Sequence, residues 1–125
     1  MIVPISTIGR PSVKSLTTTL AASKWYKPTE IMVRTPFACK IDRIELYYPT
    51  GCENLVQLRF GVKSYEYLTD WLTSGDQKSL TLSFDNVELE EGSEIWMEAK
   101  NLDTTYTHTP VVEVILKPID AIKKL

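Results

Sequence analysis

Apolar and polar residues alternate with a period of two through most of this chain. The alternation is clearest between Ile41 and Val62, IDRIELYYPTGCENLVQLRFGV. Val56, Leu58, Phe60 and Val62 fall on one side of an extended chain and Gln57, Arg59 and Lys63 on the other, the pattern of a strand with one buried face. Upstream, Ile44, Leu46 and Tyr48 share a face, while Ile41 is one residue out of phase with them. A slip of one residue is the trace a β-bulge leaves in a sequence, and it is placed at Asp42-Arg43. Pro49-Thr50-Gly51 supplies a fixed φ and then a residue free to take positive φ. The two arms are therefore expected to reverse there and pair as the central hairpin of a β-sandwich.

Further strands are expected around that hairpin. Ser12 to Leu20 reads as an edge strand, and Glu30 to Arg34 as a strand with Ile31 and Val33 inward, closed by Thr35-Pro36 because proline donates nothing to a ladder. Lys63 to Leu72 mixes alternation with helical spacing and is read as a strand leading into a loop. Leu80, Leu82 and Phe84 alternate with Thr81 and Ser83, and Val87 and Leu89 carry the alternation into Glu90-Glu91-Gly92-Ser93. Beyond that turn Ile95, Met97 and Ala99 are expected inward, with Trp96, Glu98 and Lys100 outward. This turn makes either a second hairpin or a tight connection between two sheets. Asn101 to Thr109 is a polar loop, and Pro110 to Lys117 supplies the last strand. The fold class is all-β: a single antiparallel sandwich, jelly-roll-like, with an extended amino-terminal arm. The expected organisation is an arm over residues 1–23, the sandwich over 24–118 and a tail over 119–125.

Length and charge narrow the function. A chain of 125 residues is long enough to bury a core without metal or disulfide support. With 14 basic and 16 acidic side chains the net charge is -2, which gives no electrostatic reason to bind nucleic acid. No apolar run approaches the roughly 18 residues that span a bilayer, and the first residues lack the pattern of a signal peptide, so assembly in a cytoplasm is expected. Cys39 and Cys52 match no zinc spacing and are expected as thiols.

Candidate catalytic groups are sparse. His108 is the single histidine, which excludes histidine pairs and facial triads, and no serine or cysteine stands in a nucleophile-elbow pattern. Glu88, Glu90, Glu91, Glu94 and Glu98 lie close together, but Glu88 and Glu90 share an exposed face and read as a solvated acidic edge. No catalytic, cofactor-binding or metal-ligating residue is assigned, and the expectation is a protein that is not an enzyme and needs no cofactor. The aromatic set is more informative: Trp25, Tyr26, Tyr47, Tyr65, Tyr67, Trp71, Trp96 and Tyr106. Such rings serve core packing, subunit interfaces or sugar stacking. Trp96 and Tyr47, on outward positions, each require a partner. The amino-terminal aliphatics Ile2, Val3, Ile5 and Ile8 also require cover, since each fully buried large side chain is worth about 1.5 to 3 kcal/mol.

The succession RIELYYPTGCENLVQLRFGV, a turn at TSGD, VELEEGSEIWMEAKNLD and a closing HTPVVEVIL resembles the small single-domain β-sandwich structural proteins of tailed phages and related viruses, over about residues 38 to 117. The resemblance implies a virion role such as capsid decoration, minor capsid protein, head fibre or spike base, and a partner in the major capsid protein. It carries over no catalytic residue. The expected protein is a homo-oligomer, a trimer, located in the virion and assembled in the host cytoplasm. Its interface residues are Ile2, Val3, Ile5, Ile8, Trp25, Tyr26, Tyr47 and Trp96. The alternative is a carbohydrate-binding module for host attachment that uses Trp25, Trp71 or Trp96 as a stacking platform.

Overall fold

The computed structural model describes residues 12–64, 66–73 and 79–119. Its strands are β1 (Ser12–Ser15), β2 (Lys24–Tyr26), β3 (Met32–Arg34), β4 (Cys39–Tyr47), β5 (Val56–Val62), β6 (Glu66–Tyr67), β7 (Leu72–Thr73), β8 (Ser79–Ser83), β9 (Glu88–Leu89), β10 (Glu94–Asn101) and β11 (Val111–Pro118). The fold is all-β, built from two antiparallel sheets. In the first the order is β1-β11-β4-β8, with β9 also on β4; in the second it is β2-β10-β5-β6, with β3 on β10 and β7 on β5.

The alternations at Ile44 to Tyr48 and Val56 to Val62 lie on β4 and β5 as expected, but these strands do not pair with each other. β4 lies between β11 and β8, whereas β5 pairs with β10 in the other sheet. The expected central hairpin is thus an arch that crosses from one sheet to the other. Its geometry explains the departure. Gly51, Glu53 and Asn54 all have positive φ, at 98°, 45° and 65°. The Cys52 amide donates to the Pro49 carbonyl at 3.4 Å and the Leu55 amide to the Cys52 carbonyl at 2.7 Å, so two successive turns carry the chain across the sandwich instead of back along it.

The bulge sits where the phase slip put it. Arg43 faces Ile115 and Ile41 faces Leu116, so Asp42 is the extra residue on β4. Because of it Ile41 joins Ile44, Leu46 and Tyr48 in the core. Cross-strand pairs Ile44 with Val114 and Leu46 with Val112 form one wall, and Leu58 with Ala99, Phe60 with Met97 and Val62 with Ile95 form the other. Tyr48 ties the walls together by donating its hydroxyl to the Leu72 carbonyl at 2.7 Å. Burial, helped by Cys52, pushes the phenol well above its usual range.

Ser12 to Leu20 runs along the edge of the first sheet. Its β1 pairs with β11, the Leu16 amide bonds to the Val112 carbonyl, and Leu20 and His108 exchange backbone hydrogen bonds. Leu16 and Leu20 are core residues, so over the described residues the sandwich starts at Ser12 and not at Lys24. Residues 1–11 and the tail residues 120–125 lie outside the described residues. Cys39 and Cys52 are both buried, the first opening β4 and the second in the arch past its other end, and no disulfide joins them. Burial also raises the pKa of the Cys39 thiol.

Glu90 to Ser93 is the connection between sheets, leading from β9 to β10. Buried Thr35 fastens it: its hydroxyl donates to the Glu90 carbonyl at 2.7 Å and accepts from the Ser93 amide at 2.9 Å.

Candidate functional site: the outer face of the second sheet

Alternation along β10 and β5 sends Trp96, Glu98 and Lys100, and Gly61, Arg59 and Gln57, to the face away from the core. In register these residues form rows. Met32, Trp96, Gly61 and Tyr67 lie across β3, β10, β5 and β6; Glu98 and Arg59 make the next row; Trp25, Lys100, Gln57 and Thr73 make the third. Trp71, between β6 and β7, covers the second and third rows.

This outward face is only partly open to solvent. Trp96 is 1% exposed and Glu98 3% exposed, although both point away from the core. Both side chains face outward as expected, and their burial comes from a second, smaller layer of packing that covers them. Trp96 lies flat across Gly61, where an added Cβ would come within 2.1 Å of Cζ2. A glycine inside a strand gives the indole its seat. Tyr67 meets the Trp96 ring edge-on at 5.1 Å, and the indole Nε1 donates to the Lys63 carbonyl at 2.8 Å. The buried ring thus has both its polar and its apolar needs met within the chain.

The Glu98 carboxylate is locked from two sides. Arg59 Nε donates to Oε1 at 2.8 Å and Trp25 Nε1 donates to Oε2 at 2.7 Å. From that anchor the cations spread over the rings. The Arg59 guanidinium lies 4.2 Å from the Tyr67 centroid and 4.4 Å from that of Trp71. Lys100 Nζ is 4.4 Å from Trp25 and 4.3 Å from Trp71, and Lys27 Nζ is 3.3 Å from Trp25. Trp25 and Trp71 meet edge to face at 6.5 Å. Trp25 and Tyr67 remain 46% and 47% exposed. The result is a preorganised face of alternating rings and cations, held by one buried carboxylate.

Of the residues expected at an interface, Trp25 and Trp96 share this face. Tyr26, their neighbour on β2, turns inward against the core, and its hydroxyl accepts the Ala21 amide at 2.9 Å. Tyr47 is on the outer face of the opposite sheet, between Val111 and Ser79. Ile2, Val3, Ile5 and Ile8 fall outside the described residues. Sequence reasoning missed Glu98, Arg59 and Lys100 as members of one cluster. Gly61 was the available signal, because a glycine amid Phe60 and Val62 marks a close approach.

The second place with possible chemistry is the cleft of about 560 Å³ between the 50–55 arch and the 103–108 loop. His108 Nε2 lies 2.8 Å from Asp103 Oδ2, and both side chains are largely buried. Asp103 also accepts the amides of Thr105 and Tyr106. The Thr105 amide first, then His108, hold its carboxyl below the usual range. Buried Asn101 completes the loop: its amide donates to the Leu20 and Tyr106 carbonyls at 3.1 Å each, and its oxygen accepts the Asp103 amide. The His108 ring is hydrogen-bonded to Asp103 within its own loop, which makes the pair a loop clamp. Among the described residues, no group of three or more histidine, cysteine and carboxylate side chains is placed to hold a metal ion.

No protein-family model matches the chain, and no curated protein matches it.

Proposed function

We propose that this chain is a non-enzymatic virion structural protein that self-associates and docks on a protein lattice through the outer face of its second sheet. The observation that carries this reading is the cation cover on the rings. A sugar platform needs open, roughly coplanar ring faces, whereas Trp25 and Trp71 are inclined at 66° and Tyr67 and Trp96 at 89°, with Lys27, Lys100 and Arg59 already over three of the four. Half-exposed Trp and Tyr beside a locked Arg is instead the composition of a protein-protein hot spot. The passage of the chain between two sheets at the 49–55 and 90–93 connections supports a jelly-roll layout, which viral capsid proteins and lectins share.

The gathering of Trp25, Tyr67 and Trp71 on one sheet face favours a glycan-binding attachment module as the second reading. Co-sedimentation with capsid lattices assembled from a major capsid protein encoded in the same genome tests the first. Wild type is expected to co-sediment, and a Trp25→Ala/Tyr67→Ala double variant to lose about tenfold or more in affinity, as for two hot-spot residues. A folded wild type that ignores the lattice but gives a saturable signal on a glycan array, lost in the same variant, selects the second reading.

A further inference from the structure

The first sheet ends in an edge that differs from the others. β8, Ser79–Ser83, pairs with β4 on one side, and among the described residues no backbone partner lies on its other side. Open edges are normally blunted by charge, proline or brevity. β1 carries Lys14, β2 carries Lys24, and β3 carries Arg34 with Pro36 two residues on; β6, β7 and β9 have two residues each. β8 has five residues and none of these devices.

Its sequence, Ser79-Leu80-Thr81-Leu82-Ser83, is a palindrome centred on Thr81. Run antiparallel against itself, it sets Thr81 opposite Thr81, each leucine opposite a leucine and each serine opposite a serine. Threonine pairs across strands are favourable. Leu80 and Leu82 point inward against the core yet remain only half buried, because the sheet stops beside them. A further strand at this edge covers them. Electrostatics raise no objection. Within the paired segment the carboxylate beside Thr81 is Glu45 of β4, and the two copies of Glu45 stand three strand spacings apart, about 14 Å and beyond the Debye length at physiological salt.

We propose that two copies of this chain pair through β8 about a two-fold axis at Thr81, joining their first sheets into one continuous antiparallel sheet. The occupant of the open edge is β8 of a second copy. The contact is isologous and closes on itself, so it gives even numbers of chains, in contrast to the trimer expected from sequence. It is also independent of the aromatic face, which lies on the other sheet.

The test uses the full chain and residue 81, which meets itself only in this register. Thr81 is exposed and lies beside Glu45, so Thr81→Lys is compatible with the fold. Sedimentation at micromolar concentration should give an even-numbered mass for wild type and a pair dissociation constant raised about tenfold or more for Thr81→Lys, where two lysines oppose. An equimolar mixture of Thr81→Lys and Thr81→Glu should recover the wild-type mass. A monomeric wild type overturns the proposal, as does a mixture that fails to pair while both variants keep the wild-type circular dichroism. An oligomer indifferent to Thr81→Lys but lost on removal of residues 1–11 also overturns it, and makes that arm the occupant.

Discussion

The outer faces of the two sheets use the same ion-pair chemistry with opposite results. On the second sheet Arg59 and Glu98 stand directly opposite each other, under Trp25 and Trp71, and the carboxylate side chain is 4% exposed. On the first sheet Arg43 binds Glu45 and its neighbour Asp42, and all three side chains stay open to water. Those carboxylates, Glu45 foremost, raise the pKa of Arg43 further, with no consequence for a group that is already charged. Glu45 even sits opposite Glu113, a like pair that only a solvated surface tolerates. The difference lies in the aromatic cover. Once rings exclude water from a carboxylate, its partner becomes obligatory.

The largest break in this comparison comes from removing the cover. Trp96→Ala should cost about 3 to 5 kcal/mol in chemical denaturation, the loss typical of a fully buried aromatic in a core, although this ring faces away from the core. Gly61→Ala should cost about 1 to 3 kcal/mol by the opposite route, pressing a methyl into the indole. A cost for both near zero would mean that the outer layer does not pack as described.

Removing one charge from each face gives the next effect. Arg59→Met leaves Glu98 buried without its cation and should cost about 3 kcal/mol, with little dependence on salt. Arg43→Met should leave unfolding unchanged within measurement. Equal effects for the two would erase the distinction between the faces.

Asp103 and His108 give the smallest effect and sharpen the comparison through pH. The Asp103 carboxyl is held below its ordinary range, so the stability it contributes is fully present above about pH 4 and is lost as pH falls through the lowered pKa. Acid titration of wild type and Asp103→Asn should show a stability gap at neutral pH that closes in strong acid. A gap that persists unchanged at pH 2 would assign the effect to the amide contacts alone.

Local features of the fold were legible and partners were not. The bulge at Asp42, the inward face of β4 and the edge strand from Ser12 follow from the phase of apolar residues, which each strand carries in itself. The pairing of β4 with β11 rests on residues about seventy positions apart, and no local pattern encodes it. One clue lay in the loop: the seven residues between Tyr48 and Val56 exceed the two to five of a usual hairpin. The site was half legible for the same reason. Trp25 and Trp96 were both named as interface residues, but their covering by Arg59, Lys100 and Tyr67 depends on strands brought together across the second sheet.

The place of β11 governs how the chain comes to be folded. The last of the described strands to be synthesised is an interior member of its sheet, flanked by β1 and β4. Until Val111–Pro118 leaves the ribosome, β1 has no ladder to join and β4 lacks its longest neighbour, so the first sheet closes only after translation has passed it. Folding that waits for such distant contacts is slow, in the millisecond-to-second range of sandwiches with non-local pairing. A stop codon before Val111 removes the strand that makes the first sheet a sheet.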